Sequence, residues 1–169
     1  LDGLGIEKTS IVGHHTGAII GIEVAATYPK RVDKLILSGP LYIDEKVGKL
    51  LKDIYKQWRV KEDGSHYKQL WNIWEKQVSE TPSNLLNRVV LDELKAGETS
   101  EYGHFACANY TYMEKRLKLI QCPTLIIWGT EDLLRYYPEN KPKVGKAIHR
   151  TKVVEVKGGT LFIMQQMPD

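Results

Sequence analysis

The sequence predicts an α/β fold: a mostly parallel sheet with helices on both faces and a helical insertion between two of its strands. Three observations predict it. Ile11-Val12 and Leu35-Ile36-Leu37 are short apolar runs joined by one helix-length segment, the spacing of a βαβ unit with a right-handed crossover. Pro123-Thr124-Leu125-Ile126-Ile127-Trp128-Gly129 is an unbroken apolar run, as a central parallel strand covered on both faces requires. Between them, residues 41–121 change to helical spacing.

Leu4 and Ile6 read as the tail of a helix running into the first strand, whose β-branched Ile11 and Val12 suit burial on both faces. Gly13 and Gly17 bracket His14-His15-Thr16, so the backbone can turn sharply and the next helix can approach the sheet closely. That turn aims His15 over a helix N-terminus. Thr16 to Tyr28 is the helix, with Gly17, Gly21 and Ala25 as a small-residue stripe and Pro29 as its stop. Arg31-Val32-Asp33-Lys34 leads into the second strand, and Ser38-Gly39-Pro40 ends it.

In the insertion, Leu50, Leu51, Ile54, Tyr55 and Trp58 share helical spacing, as do Tyr67, Leu70, Trp71 and Trp74, and then Leu85, Leu86, Val89, Val90 and Leu94. Lys61 to Ser65 and Glu80 to Ser83 supply breaks, and Gly97 suits a helix C-cap. Its Trp and Tyr residues fit either packing between helices or the lining of an apolar pocket beneath a lid. A weaker helix spans Pro138 to Ile148, Lys152 to Val156 is a further strand, and Gly158-Gly159-Thr160 is the loop after it. The expected organisation is a core segment (1–40), a helical lid (41–121) and a second core segment (122–169).

Composition excludes several classes. The 169 residues carry 24 Lys+Arg against 21 Asp+Glu, a formal net charge of +3, and the basic residues are dispersed, which argues against nucleic acid as a partner. No apolar run is long enough to span a bilayer and no signal-peptide pattern opens the chain, so no membrane partner is expected. Cys107 and Cys122 lack C-x-x-C spacing and read as buried thiols, which points to a cytoplasmic protein. The chain opens at Leu1 and stops at Pro168-Asp169, where a closing helix would begin; a fragment of a longer protein is expected. Oligomeric state is not legible.

Val12-Gly13-His14-His15-Thr16-Gly17-Ala18, Tyr28-Pro29-Lys30-Arg31-Val32 before Leu35-Ile36-Leu37-Ser38-Gly39, Pro123 to Asp132, and Gly158-Gly159-Thr160 together resemble the α/β-hydrolase fold family. The first stretch has the frame of its G-x-S-x-G nucleophile elbow. The resemblance implies that the nucleophile position falls on His15, the acid on Asp132, the histidine on Thr160 and the backbone oxyanion donor on Thr16. It also implies that the first strands and the oxyanion loop lie upstream of Leu1. Two of the three triad positions depart from the pattern, so a serine mechanism is not supported.

Neutral imidazole needs no partner to act as a base or nucleophile, and the function this predicts centres on His15. The alternative for His15 is a pocket-lining, hydrogen-bonding role. Asp132 either orients a histidine, His15 itself or one from the lid, or caps a following helix. Thr160, whose hydroxyl is no base near neutral pH, is expected to bond to backbone or to Asp132. His66, at a lid-helix start, either replaces the missing base or is solvated; His104 is a weaker candidate. His14 is expected to pack under neighbouring loops and His149 to be exposed. Adjacent His14 and His15 diverge, so no metal is expected, and no cofactor. The predicted activity is hydrolysis of a small apolar ester, lactone or related carbonyl compound. The alternatives are proton-abstraction chemistry, such as C–C cleavage or cofactor-free oxygenation, and non-catalytic ligand binding.

Overall fold

A computed structural model of the protein describes residues 1–55, 58–77, 82–132, 138–139 and 141–167. Its strands β1 (Thr9–His14), β2 (Val32–Ser38), β3 (Thr124–Gly129) and β4 (Thr151–Val156) form one parallel sheet in the order β1-β2-β3-β4. Helix α1 (Thr16–Thr27) makes the β1–β2 crossover, and α2 (Glu45–Ile54), α3 (Ser65–Gln77), α4 (Ser83–Ala96), α5 (Tyr102–Ala108) and α6 (Met113–Leu117) lie between β2 and β3. Helix α7 (Lys141–Ala147) joins β3 to β4, and the short α8 (Ile163–Gln166) follows β4. At the start of the chain only a 3₁₀ turn, Asp2–Leu4, precedes β1, and Leu4 is exposed.

Register decides which side chains share a face, because partners in a parallel ladder point the same way. Ile11, Leu35 and Thr124 align, as do Gly13, Leu37, Ile126 and Val153. Helices α1 and α7 both cover this face. A Cβ added to Gly21 would touch Leu35 at 3.4 Å and Ile11 at 3.5 Å, and one added to Gly145 would meet Val153 at 3.1 Å. The opposite face carries Val12, Ile36, Leu125, Ile127 and Val154. Burial of Val12 on both faces is therefore corrected: it is 63% exposed, because it points away from α1 and the described residues put no helix over it. Ile36, Leu125 and Ile127 are only half-buried.

The need for glycine in the turn after β1 falls on one residue of the pair. A Cβ on Gly13 would lie 2.3 Å from the Gly17 carbonyl oxygen, whereas one on Gly17 would meet nothing within 4 Å. The first turn of α1 folds over Gly13, and Gly17 faces open space.

Two apolar clusters divide the 41–121 segment. Val47 and Leu51 of α2, Cys107 and Ala108 of α5, and Met113 and Leu117 of α6 pack into the same core as the sheet residues Leu35, Leu37 and Ile126. Leu70 of α3 and Leu86 and Val90 of α4 instead form a second cluster with Trp58 and Phe162. Helix α2 stops at Ile54, short of Trp58. The break expected at Glu80-Thr81 lies outside the described residues.

Helix α1 is clamped to α6 by a polar knot. The Arg116 guanidinium grips Glu23 through both oxygens, at 2.8 and 2.9 Å, the Tyr110 hydroxyl donates to Glu23 at 2.5 Å, and Thr27 donates to it at 2.9 Å. Removing Glu23 leaves the buried Tyr110 hydroxyl and the half-buried Arg116 guanidinium without this acceptor. Glu23→Ala is expected to lower unfolding free energy by about 1–2 kcal/mol, read as a lower urea midpoint with an unchanged denaturant slope.

Candidate active site

The sheet delivers its chemistry at the C-terminal ends of β1, β2 and β3, where open α/β sheets collect ligands. β1 ends at His14, and His15 has φ 46° and ψ −110°. It is the one non-glycine residue with positive φ among those described, a conformation that costs about 1–3 kcal/mol and persists where surroundings over-determine it. Here they do. The His15 N–H donates to the Ser38 carbonyl at 2.8 Å, and the His15 carbonyl accepts from Ala18 and Ile19 as the first acceptor of α1. The N–H groups of Thr16 and Gly17 precede those donors and have no backbone acceptor among the described residues.

From this strained apex the His15 ring reaches Asp132, its Nε2 lying 2.8 Å from Oδ2. Asp132 is 1% exposed and sits in the turn after β3. That turn is pinned to the loop after β4. The Thr130 N–H donates to Val156, Glu131 N–H to Gly159, and Gly158 N–H to the Thr130 hydroxyl. The two loops pass so closely that a Cβ on Gly129 would lie 2.2 Å from the Gly159 carbonyl oxygen.

Gly39, which sequence reading treated only as the end of β2, clears the space for this pair. It has φ +59°, and a Cβ there would lie 2.6 Å from His15 Nε2 and 3.1 Å from Asp132 Oδ2. The available signal was a glycine between a strand and Pro40, without an indication of what approached it.

A carboxylate accepts, so the contact assigns the His15 Nε2–H as donor, and in the neutral ring the lone pair is then on Nδ1. Nδ1 has no hydrogen-bond partner among the described residues. The ring stands at the rim of a cavity of about 550 Å³ whose lining includes Thr16, Tyr55, Trp58, Trp74, Glu93 and His104. His14 lies beside it, ring centroids 4.6 Å apart. The His14 Nε2–H donates to the Leu161 carbonyl at 2.7 Å and its Nδ1 accepts from the Ser38 hydroxyl at 3.0 Å. Burial, and then the neighbouring His15, push the His14 pKa below its ordinary value.

The other candidates are placed as follows. Thr160 accepts from the Phe162 N–H at 3.0 Å and donates to Gln166 at 2.6 Å, closing the turn into α8; Asp132 meets His15 instead. Whether Asp132 caps a following helix falls on residues 133–137, outside the described ones. His66 is not against the cavity. Gly64 at φ +69° and the Asp63 carboxylate, which accepts from the Ser65 N–H at 3.0 Å, turn the start of α3 inward. His66 is thereby 5% exposed, parallel to Trp58, with Nδ1 accepting from the Lys61 N–H at 3.2 Å. His104 does line the cavity, as do Glu93 and Glu101, which sequence reading had not singled out. Glu93 accepts from the Trp74 indole N–H, and burial raises its carboxyl pKa. His149 is exposed, and Cys107 and Cys122 are buried free thiols. Among the described residues no three His, Cys, Asp or Glu side chains are grouped to hold a metal, and no helix is long and apolar enough to cross a membrane.

Comparisons place the chain among known proteins by family and fold. Residues 4–157 match the family described as serine aminopeptidase, S33. A 2-hydroxy-6-oxononadienedioate/2-hydroxy-6-oxononatrienedioate hydrolase of Pseudomonas putida is 29% identical over 150 residues, covering 82% of this chain and 50% of that protein. Epoxide hydrolase 1 of Caenorhabditis elegans is 26% identical over 164 residues, covering 78% of this chain and 38% of that one. The chain thus spans about half the length, or less, of these curated relatives. A hydrolase structure from Pseudomonas aeruginosa PA01 superposes with a TM-score of 0.75 at 17% identity, over 99% of this chain and 63% of that chain. A meta-cleavage product hydrolase from Pseudomonas fluorescens IP01 gives a TM-score of 0.69 at 20% identity with the same coverage. At these identities the structural likeness is one of fold.

Two outcomes follow from the geometry. Gly39→Ala must strain a left-handed residue, at about 1–2 kcal/mol, and push the imidazole off Asp132; the displaced ring is read by NMR of the His15 side-chain nitrogens. For His14, the folded pKa lies below the unfolded one, so the unfolded chain takes the proton first. Its contribution is present above about pH 6.5 and is lost as pH falls below it. Urea midpoints measured against pH should decline less steeply below that point in His14→Gln than in the parent.

Proposed function

The chain belongs to the serine aminopeptidase S33 family of the α/β-hydrolase fold, and on that footing we propose that it is a hydrolase of small, mostly apolar carbonyl compounds in which His15 and Asp132 replace the serine triad. One observation carries the reading: the 2.8 Å bond from the elbow imidazole to a carboxylate that is 1% exposed.

In this mechanism His15 Nδ1 takes a proton from water as the water oxygen attacks the substrate carbonyl. The imidazolium that forms is held by Asp132 through Nε2–H. Negative charge gathers on the former carbonyl oxygen, and the Thr16 N–H at the start of α1 is the donor available to it, a type of contact worth roughly 3–4 kcal/mol. Collapse of the tetrahedral species breaks the bond to the leaving group and the proton on His15 returns to bulk water or product. Positioned base catalysis of this kind supplies about 10²–10⁴-fold. The α3–α4 pair, with its own apolar cluster, serves as a cap over the cavity. The substrate is a small molecule.

A second reading uses the same base to draw a proton from carbon and cleave a C–C bond. It is favoured by the Pseudomonas putida relative, named for a keto diacid that has no ester linkage. Against a dianionic substrate stand Glu93 and Glu101 in the cavity lining.

The test is hydrolysis of short-chain aryl esters by the purified protein, by His15→Ala and by Asp132→Asn. Both variants are expected to lose about 10²-fold or more in kcat/KM. Turnover unaffected by His15→Ala removes the mechanism. Turnover confined to keto acids, with C–C cleavage products, selects the second reading, and ligand binding with no turnover at all leaves a binding protein.

A further inference from the structure

His15 is not the only histidine that the cavity holds against a carboxylate. His104, in the first turn of α5, has its Nδ1 2.5 Å from Glu101 Oε2, and the Glu101 side chain is only 13% exposed. Its ring also lies flat on Tyr55, with centroids 3.9 Å apart and planes 8° from parallel. One contact fixes the ring in its plane and the other fixes the plane, so the imidazole is locked as few surface histidines are. The carboxylate takes one nitrogen and leaves the other, here Nε2, without a hydrogen-bond partner among the described residues; in the imidazolium form, which the Glu101 carboxylate favours, that nitrogen carries a proton that can be given up.

The pair also belongs to the elbow's surroundings. A Cβ on Gly103 would touch the Thr16 methyl at 3.5 Å, so α5 begins directly against the residue after His15. Cys107, one turn further along α5, has its thiol beside the Thr16 hydroxyl. Both imidazoles line the same cavity. The titratable groups around His104 are Glu101, Tyr55 at the end of α2, Glu93 and Asp92 of α4, and, within the cavity, His15 and His14.

We propose that His104, held by Glu101, is the proton donor to the leaving group in the reaction for which His15 is the base. The inference rests on the hydrolase reading above. As the tetrahedral species collapses, the carbon–oxygen bond to the leaving group breaks. The leaving oxygen takes the proton from His104 Nε2, and His104 is left neutral with its Nδ1–H on Glu101. His15 meanwhile holds the proton removed from water. Loss of that proton from His15 and gain of one by His104 from solvent restore the starting state, with no net proton consumed. Two carboxylate-bound imidazoles thus divide the roles that one histidine fills when it both accepts and returns the same proton.

The assignment predicts a dependence on the leaving group that packing alone does not produce. A nitrophenolate departs without a proton and an alkoxide does not. Turnover of 4-nitrophenyl acetate and of ethyl acetate is measured for the parent, His104→Gln and Glu101→Gln across pH. The ratio of aryl to alkyl kcat/KM is expected to rise by about 10²-fold in His104→Gln. A smaller rise is expected in Glu101→Gln, where the ring remains but its holder is neutral. Equal losses on both esters, or no loss on either, overturn the proposal while leaving the His15 mechanism standing. Aryl-ester turnover that survives His15→Ala overturns the mechanism instead, and absence of turnover in the parent overturns both. If His104→Gln unfolds, as circular dichroism would show, Glu101→Gln carries the same comparison.

Discussion

A carboxylate removed from water demands a partner, and the site is built on how Asp132 meets that demand. Burying an unpaired charge costs far more than a domain can spare, and the imidazole of His15 is one of the groups that meet this carboxylate. That bond ties the C-terminal end of β1 to the turn after β3, across β2 between them. It fixes the His15 tautomer, holds the apex in its costly backbone conformation, and requires that nothing larger than a hydrogen project from Gly39. A serine at the apex is too short to make this contact, whereas imidazole spans it. The elbow apex thus presents an imidazole to the carboxylate at the end of β3, while Thr160 in the loop after β4 is engaged with Phe162 and Gln166.

Close backbone approach is what makes the pairing possible. Gly13 lets α1 fold over the end of β1, Gly129 and Gly159 let the acid turn lie against the loop after β4, and Gly39 lets the two side chains meet. All four sit at strand ends or in the loops behind them. The helices of the insertion contribute differently. Those at its two ends, α2, α5 and α6, are rooted in the sheet's own core, and α3 and α4 pack mainly with each other. The segment expected to be one lid is anchored at both ends and separate only in its middle. The cavity lies where the two parts meet, so its walls combine rigid residues such as Thr16 with residues of the outer pair such as Trp74.

Strands and helices were legible because apolar periodicity survives whatever the tertiary contacts are: βαβ spacing gave β1, α1 and β2, and the unbroken run gave β3. The position of His15 was legible because two glycines frame a turn. Its bond to Asp132 was legible only as one alternative among several, since 117 positions separate them and only the sheet register brings them together. Val12 misled because β-branching reports strand, not the number of covered faces. Gly17 misled because a motif glycine need not be the crowded one. His66 and His104 illustrate the same limit. Each sits near the start of a helix in polar company, and the difference between a core histidine and a cavity histidine lies in which way the preceding turn throws the helix.

Cys107 gives this site a built-in reporter. Its thiol is buried, with a pKa that burial raises, beside the Thr16 hydroxyl and one turn from His104. An alkylating reagent reaches a buried thiol only when the packing around it opens, so its labelling rate clocks that opening. Cys122 is equally buried just ahead of β3. Both thiols belong to the core that the sheet shares with α2, α5 and α6, so their labelling reports opening of that core at two places, beside the elbow and at the start of β3.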